Sequence, residues 1–306
     1  MDTYTFLGPE GTFTEMALLK VPGAAEAVRV PSVNAAAALA KVRSGECDAA
    51  MLPIENSVEG GVSATLDAIA SGQALRIIRE VIVPVSFVLA AKPGVDLGSV
   101  ARVGTHPHAW AQTRIWADRN IPNAEYIPVT STGAAAHALV SEAPDYQAAI
   151  CARPVAERLG LAILAENIED NSGAVTRFVL VARPGALPEA TGADKTTVAI
   201  PLPEDRPGAL MEILDQFATR GVNLSRIESR PTGQFLGHYF FSIDADGHIA
   251  EARMAEALRA LHRISPQIRF MGSYPRADAQ VPEIPAHTTD RVFDQAQRWF
   301  DGLLAE

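Results

Sequence analysis

Residues 49–70 read Ala49-Ala50-Met51-Leu52-Pro53-Ile54-Glu55-Asn56-Ser57-Val58-Glu59-Gly60-Gly61-Val62-Ser63-Ala64-Thr65-Leu66-Asp67-Ala68-Ile69-Ala70. An apolar run from Ala49 to Pro53 reads as a strand and passes through a polar turn and Gly60-Gly61 into a helix expected from about Ser63 to Ala70. A strand feeding a helix through a short turn is the unit of α/β folds, and such a turn exposes side chains at the C-terminal edge of the sheet, where these folds bind ligands. Asn56 and Ser57 can donate to a carboxylate, as can the N–H groups at the start of the helix. Glu55 can hold a proton if buried or pair with an arginine; a turn stabilised by its own side chains is the plainer alternative.

The same alternation extends in both directions. Upstream, residues 3–7 form an apolar strand broken by Gly8-Pro9 and Gly11, with helices expected from Thr14 to Lys20 and from Asn34 to Ser44. Downstream, Leu75 to Ala91 is strand-rich, Val103 to His106 a short strand, and His108 to Asn120 a helix. Thr130-Ser131-Thr132-Gly133 opens an Ala-rich helix to about Ser141, Ala148 to Ala152 is a strand, and Pro154 to Leu159 a short helix. This order predicts parallel sheets with crossover helices.

Arg183 to Asp194, rich in Pro, Gly and Ala, marks a domain boundary. Beyond it the expected order is strand Lys195–Pro201, helix Ala209–Arg220, strand Leu224–Arg230, strand Leu236–Ala245, helix Ala250–His262 and strand Ile268–Tyr274. That β-α-β-β-α-β order is the ferredoxin-like plan. After Pro275 an amphipathic helix is expected from about Thr289 to Leu304, with Val292, Phe293, Ala296, Phe300 and Leu303 on one side, packed on a neighbouring domain or subunit.

At 306 residues the chain suits about two or three domains, and 48% apolar residues with few aromatics suit a soluble α/β protein. A net charge of −10 argues against nonspecific nucleic-acid binding and attachment to anionic lipid, so an anionic ligand needs local positive potential from Arg and helix N-termini. Cys47 and Cys151 sit in apolar settings and read as buried thiols. The seven histidines show no metal-type spacing. With no signal-like N-terminus and no apolar stretch near the roughly 20 residues that span a membrane, a cytoplasmic location is expected.

Chemistry is densest at Asn171-Ser172-Gly173-Ala174-Val175-Thr176-Arg177-Phe178, where a loop enters a strand with a hydroxyl and a permanent cation side by side. A guanidinium binds carboxylates bidentately, and a hydroxyl both donates and accepts, so the pair suits an anionic, hydroxylated substrate. This segment, with Tyr4-Thr5-Phe6-Leu7-Gly8-Pro9-Glu10-Gly11-Thr12-Phe13-Thr14 and Leu52 to Gly61, resembles prephenate dehydratase. Gly208-Ala209-Leu210 with Glu228-Ser229-Arg230-Pro231 resembles the ACT regulatory domain of the same family. The resemblance covers roughly residues 4–275.

It implies an α/β protein with a two-lobed, periplasmic-binding-protein-like catalytic domain over about residues 1–185, a ferredoxin-like ACT domain over 195–275 and a tail over 276–306. The implied reaction converts prephenate to phenylpyruvate, water and CO₂. Hydroxide leaves with the help of a proton, the ring carboxylate departs, and aromatisation drives both, so no metal or other cofactor is required. Thr176 is the first choice beside the leaving hydroxyl, either polarised by neighbours or orienting it. Arg177 is expected to anchor a carboxylate or to form a surface salt bridge, and Phe178 to wall the site or pack the core. Glu55, Asn56 and Ser57 complete the catalytic set. The family usually carries an Asn two residues before the Thr; here Ala174 stands there, so that hydrogen bond is missing or comes from elsewhere, with Asn171 and Ser172 as candidates.

Thr12 lies in a loop expected to approach the substrate. His106-Pro107-His108-Ala109-Trp110-Ala111-Gln112 matches a family segment, making His106 and Gln112 substrate candidates, although a helix-capping His106 is the alternative. Ser131 and Thr132 are further contacts or N-caps. In the ACT segment, backbone groups around Gly208, Ala209 and Leu210, with Glu228, Ser229, Arg230 and Pro231, are expected to bind phenylalanine at a subunit interface in a homodimer or homotetramer. A ligand-free structural domain is the alternative. The chain starts at its first strand with no helical chorismate mutase region before it, which leads to the expectation of a single activity. Arogenate dehydratase and a non-catalytic amino-acid-sensing protein are the competing readings.

Overall fold

The computed structural model describes residues 2–58, 60–141, 143–202, 204, 206–231 and 239–305. The expected strand start at Leu236, and Glu59 of the first segment above, lie outside the described residues. The chain forms two compact units. One comprises residues up to Val62 with Val81–Phe178; the other comprises Ser63–Glu80 with Val179 onward. The second unit thus takes in residues 63–80, far upstream of the Pro/Gly-rich linker.

The chain opens with β1 (Thr3–Leu7), α1 (Phe13–Leu19), β2 (Val28–Ser32), α2 (Ala35–Ser44), β3 (Ala49–Asn56), the two-residue β4 (Gly60–Gly61), α3 (Ser63–Ala70) and β5 (Arg76–Pro84). Residues 85–87 then cross to β6 (Val88–Ala91), β7 (Arg102–Thr105), α4 (Pro107–Gln112), α5 (Arg114–Asn120), β8 (Glu125–Pro128), α6 (Thr132–Ser141), β9 (Ala148–Cys151), α7 (Arg153–Arg158) and β10 (Ala162–Glu166). Residues 167–174 lead back to β11 (Val175–Ala182). The first sheet has the order β2-β1-β3-β11-β5, with β4 paired to β3; the second has the order β10-β6-β9-β7-β8. The two sheets make two α/β lobes joined by these two crossings. The two crossings are bonded together: Val85 N donates to Ala174 O at 2.8 Å, and Phe87 N to the Glu169 carboxylate at 2.9 Å.

Helix starts follow local chemistry. Asn34 Oδ1 accepts from Ala37 N at 2.8 Å to cap α2, and Thr12 Oγ1 accepts from Glu15 N at 3.4 Å to cap α1. Three expectations need correction. The sheets are mixed rather than parallel: β6 pairs antiparallel with both β9 and β10. It is entered straight from β5 of the other sheet, and a crossover helix is required only between parallel strands of one sheet. The expected helix from His108 to Asn120 breaks at Thr113, whose hydroxyl donates back to Ala109 O at 2.9 Å and whose ψ is 9°. Finally, β8 and β10 are short strands not anticipated from the sequence.

In the second unit, β12 (Asp194–Pro201), α8 (Ala209–Ala218), β13 (Leu224–Pro231), β14 (Tyr239–Asp246), α9 (Ala252–Ile264) and β15 (Arg269–Pro275) give an antiparallel sheet of order β13-β14-β12-β15, the ferredoxin-like arrangement. Val198, Ile200 and Ile243 pack with Ile213 and Phe217 of α8 and Met254 and Leu261 of α9. Alternate residues of the sheet carry polar groups instead. Asp244, fully buried, accepts from Arg226 Nε at 2.9 Å and Thr197 Oγ1 at 2.8 Å. Residues 63–80 join this unit through ions: Arg230 makes a two-pronged pair with Asp67 (2.7 and 3.0 Å), and buried Lys195 meets Glu80 at 3.1 Å. Helix α10 (Asp290–Ala305) is tied at its start, where Asp290 Oδ1 accepts from Ala252 N at 2.8 Å, and none of its residues is buried.

Candidate active site

Thr176 and Phe178 lie two apart on β11, so their side chains share a face. Both line a cavity of about 260 Å³ within the first unit, near the lower end of the roughly 300–1,000 Å³ usual for small-ligand pockets. The end of β3 brings Asn56 to the same cavity, and the crossing segment brings Val85 and Phe87. Three helices begin on its wall. Thr12, Phe13 and Thr14 come from the start of α1, His106, His108, Ala109 and Gln112 from α4, and Thr130, Ser131 and Thr132 from the start of α6.

Asn56 and Thr176 form the best-defined contact. Val58 N donates to Asn56 Oδ1 at 2.8 Å, which orients the amide so that Nδ2 donates to Thr176 Oγ1 at 2.9 Å. A hydroxyl that accepts there keeps its own proton for another partner. The donor to Thr176 is therefore Asn56, not Asn171 or Ser172; Asn171 Oδ1 instead accepts from Gly173 N at 3.0 Å within its own turn.

The alternation that exposes Thr176 and Phe178 turns Arg177 away. Its buried side chain does not line the cavity, and Nη1 lies 3.3 Å from Glu55 Oε2. Ser57 is also outside the lining. Its Oγ accepts from Val175 N at 2.9 Å and its N–H donates to Val175 O at 3.0 Å, tying the end of β3 to the start of β11. The geometry gathers Thr176, Phe178, Asn56, Thr12, His106, Gln112, Ser131 and Thr132 and leaves Arg177, Glu55 and Ser57 behind that wall.

His106 caps α4: its Nδ1 accepts from His108 N at 3.3 Å, Pro107 follows at the first helical position, and its ring stacks on His108 with centroids 4.9 Å apart. Burial lowers its pKa below the ordinary value, which favours neutral imidazole at pH 7. Ser131 Oγ likewise caps α6 by accepting from Ala134 N at 3.0 Å. Phe13 meets Phe87 edge to face at 5.6 Å and gives the cavity an apolar side. His108, Thr14, Thr130 and Val85 were not foreseen; the hydroxyl cluster at Thr12 to Thr14 was the available signal. Among the described residues, no Asp, Glu, Lys or Arg side chain lines the cavity. What it offers is hydroxyls, amides, imidazoles and helix starts. These are neutral donors in an apolar setting, suited to carboxylates and to a developing hydroxide. Among the described residues no group of acidic, His or Cys side chains could hold a metal. Both cysteines are free and buried, and burial pushes the Cys151 thiol up to about 12, so it is not a thiolate nucleophile at neutral pH.

The ACT-like residues fall in two groups. Gly208 caps α8 with φ +86°, and nothing lies within 4 Å of the place a Cβ would take. Its glycine is explained by the left-handed backbone rather than by close packing within this chain. On β13, Glu228 lies 3.5 Å from Arg226, and Arg230 pairs with Asp67, whereas the intervening Ser229 and Pro231 are exposed. Ala209 and Leu210 open α8.

A prephenate dehydratase family profile matches residues 4–186, and an ACT domain profile matches residues 201–263. A prephenate dehydratase of Mycobacteroides abscessus is 43% identical over 305 residues, covering 98% of this chain and 97% of the relative. A crystal structure of prephenate dehydratase in complex with L-Phe, from Arthrobacter aurescens, is 65% identical, covers 99% of this chain and 100% of that one, and superposes with a TM-score of 0.96. A structure described as GqqA, a novel type of quorum quenching acylase, is 30% identical with a TM-score of 0.77, covering 89% and 97% of the two chains.

Proposed function

Because the chain belongs to the prephenate dehydratase family, hydro-lyases acting on prephenate, we propose that its reaction runs in the cavity around Thr176. The carrying observation is the oriented Asn56–Thr176 hydrogen bond, which leaves the Thr176 proton to be donated. In this reading Thr176 donates a hydrogen bond to the ring hydroxyl, which leaves as hydroxide while the electrons of the breaking C–CO₂ bond aromatise the ring, and Asn56 holds Thr176 in place. Hydroxyls and imidazoles at the helix starts take the side-chain carboxylate. Phe178 and Phe87 keep water from the ring carboxylate as it leaves as CO₂, a loss favoured by desolvation. Arg177 and Glu55 support the wall as a pair and do not touch substrate. The catalytic region is taken as about residues 1–185 and the regulatory one as about 195–275, consistent with the two family matches.

Phenylalanine is the proposed effector, supported by the L-Phe complex of the 65% identical structure. Gly208 to Leu210 would supply backbone groups, and Ser229 and Pro231 the exposed face of edge strand β13, in a homo-oligomer that pairs these edges. A cytoplasmic location is part of the same reading; among the described residues no helix is long and apolar enough to cross a membrane. The cavity favours prephenate over arogenate, whose ammonium would meet no carboxylate among the described lining side chains. The test is phenylpyruvate formed from prephenate, compared with phenylalanine formed from arogenate, with and without added phenylalanine. Faster turnover of arogenate would overturn the substrate assignment, and turnover of neither would overturn the enzyme. Calorimetric titration of phenylalanine into wild type and Gly208→Val should show binding only to the former, because a branched side chain strains the left-handed cap. Equal binding would place the effector site elsewhere.

A further inference from the structure

A second charge cluster lies outside the cavity lining, where the β1–α1 loop of the first lobe meets α6 and α7 of the second. Glu15, in the first turn of α1 and 2% exposed, accepts from Gly11 N at 2.6 Å, with Arg158 Nη1 3.1 Å from the same oxygen. Arg29 Nε lies 3.6 Å from its other oxygen. Arg158 ends α7 and also lies 3.5 Å from the Glu10 carboxylate. A second tie runs from His137 of α6, whose Nε2 is 3.1 Å from the Glu10 carbonyl oxygen. The loop is close-fitted as well: a Cβ at Gly11 would fall 2.6 Å from Val155 of α7, and one at Gly133 of α6 would fall 3.2 Å from Thr12. None of Glu10, Glu15, His137 and Arg158 lines the cavity, but Gly8 and Thr12 of the same loop do.

We infer that Arg158 and Glu15 are positioning residues for the reaction, a latch that fixes the Thr12-bearing loop of one lobe to the other lobe across the substrate cavity. A buried carboxylate must be paired. Glu15 has two partners in its own lobe, Gly11 N and Arg29, which persist however the lobes stand. Arg158 is the partner it gains only when they meet. Two-lobed proteins close on their ligands about their crossing segments, and here the closing contact is an ion pair whose acidic half is dry. Because Thr12 is met by substrate and transition state alike, weakening the latch acts on binding more than on the chemical step.

The experiment is steady-state kinetics of Arg158→Ala, Arg158→Lys and His137→Phe on prephenate, with thermal denaturation of each. Arg158 is 41% exposed, and Glu15 keeps its other partners without it, so Arg158→Ala should fold. The expected result is a KM raised about three- to tenfold with kcat nearly unchanged. Arg158→Lys should recover part of that loss, and His137→Phe should raise KM independently. Hydrogen exchange supplies a readout apart from turnover: residues 8–13 should exchange faster in substrate-free Arg158→Ala than in wild type, and equally once ligand saturates both. An unchanged KM overturns the latch, as does a loss confined to kcat or exchange at residues 8–13 like that of wild type. If Arg158→Ala does not fold, an unchanged KM in both Arg158→Lys and His137→Phe overturns it.

Discussion

The cavity around Thr176 and the polar side of the ACT sheet solve opposite problems with different residues. The cavity is lined by hydroxyls, amides and imidazoles, with no charged carboxylate, Lys or Arg side chain among the described residues. The sheet buries full charges and holds several of them in ion pairs: Arg226 with Asp244, Lys195 with Glu80, Arg276 with Asp246 at 2.8 Å. A charge fixed in a pair is spent on structure, because moving it to a ligand would strand its partner in a dry place. Neutral donors carry no such obligation. A site for a dianion in a protein of net charge −10 therefore gains more from neutral dipoles than from arginines already committed to neighbours, and Arg177, paired with Glu55, illustrates the second kind.

The comparison breaks most visibly at Thr176. Thr176→Ala should lower kcat about 10²- to 10³-fold, the usual weight of one donor to a developing oxyanion, with an unchanged melting temperature. Near-normal kcat would show that the cavity's neutral donors do not do the chemistry. Across the molecule, Asp244→Ala should cost about 3–5 kcal/mol of stability by stranding Arg226, read as the shift in urea midpoint. Replacing both, with Arg226→Met and Asp244→Leu, should cost much less; equal losses would mean that the pair is not the issue.

A smaller effect sharpens the cavity side. Thr132→Asp at the start of α6 suits the helix terminus, so the fold should hold, but it brings a carboxylate to the cavity. KM for prephenate should rise about tenfold, on the order of 1.4 kcal/mol of like-charge repulsion; an unchanged KM would exclude Thr132 from the carboxylate subsite. The smallest effect is on pH. Burial holds the His106 pKa below its ordinary value of 6.5, so the unfolded chain takes up the proton first as pH falls. Its contribution is intact above pH 6.5 and is lost as pH drops through the folded value. His106→Asn, which keeps a cap, should make the melting temperature less steep between pH 7 and pH 5. Identical profiles would mean that the imidazole is not held neutral.

Much of this was legible in residue order. Helix starts at Asn34, Thr12 and Ser131 follow from side chains that bond the first free N–H groups, and the β-α-β-β-α-β order needed only periodicity and turns. The orientation of Arg177 was also legible: a strand that shows Thr176 to a ligand must turn its neighbour away. Residue types alone left Arg177 between a carboxylate anchor and a salt bridge, and the pair with Glu55 is the second of these. Strands β8 and β10, four and five residues long, carry too little pattern to declare themselves. Asn56 could not be matched to Thr176 from sequence alone, because 120 residues separate them. Nor could residues 63–80 be assigned to the second unit, since their partners Lys195 and Arg230 lie more than a hundred positions away.

That last feature decides how this protein can be cut and rejoined. The chain passes between its compact units at 62/63, 80/81 and 178/179, so it is stitched across the seam three times rather than joined by one tether. A module hung on one tether can be shed or traded between proteins at little cost to what remains. Here a truncation at residue 186, where the catalytic family match ends, would keep α3 and the start of β5 while removing Lys195 and Arg230, the cations that neutralise Glu80 and Asp67. Grafting a foreign sensor onto this catalyst therefore requires redesigning residues 63–80 together with the graft.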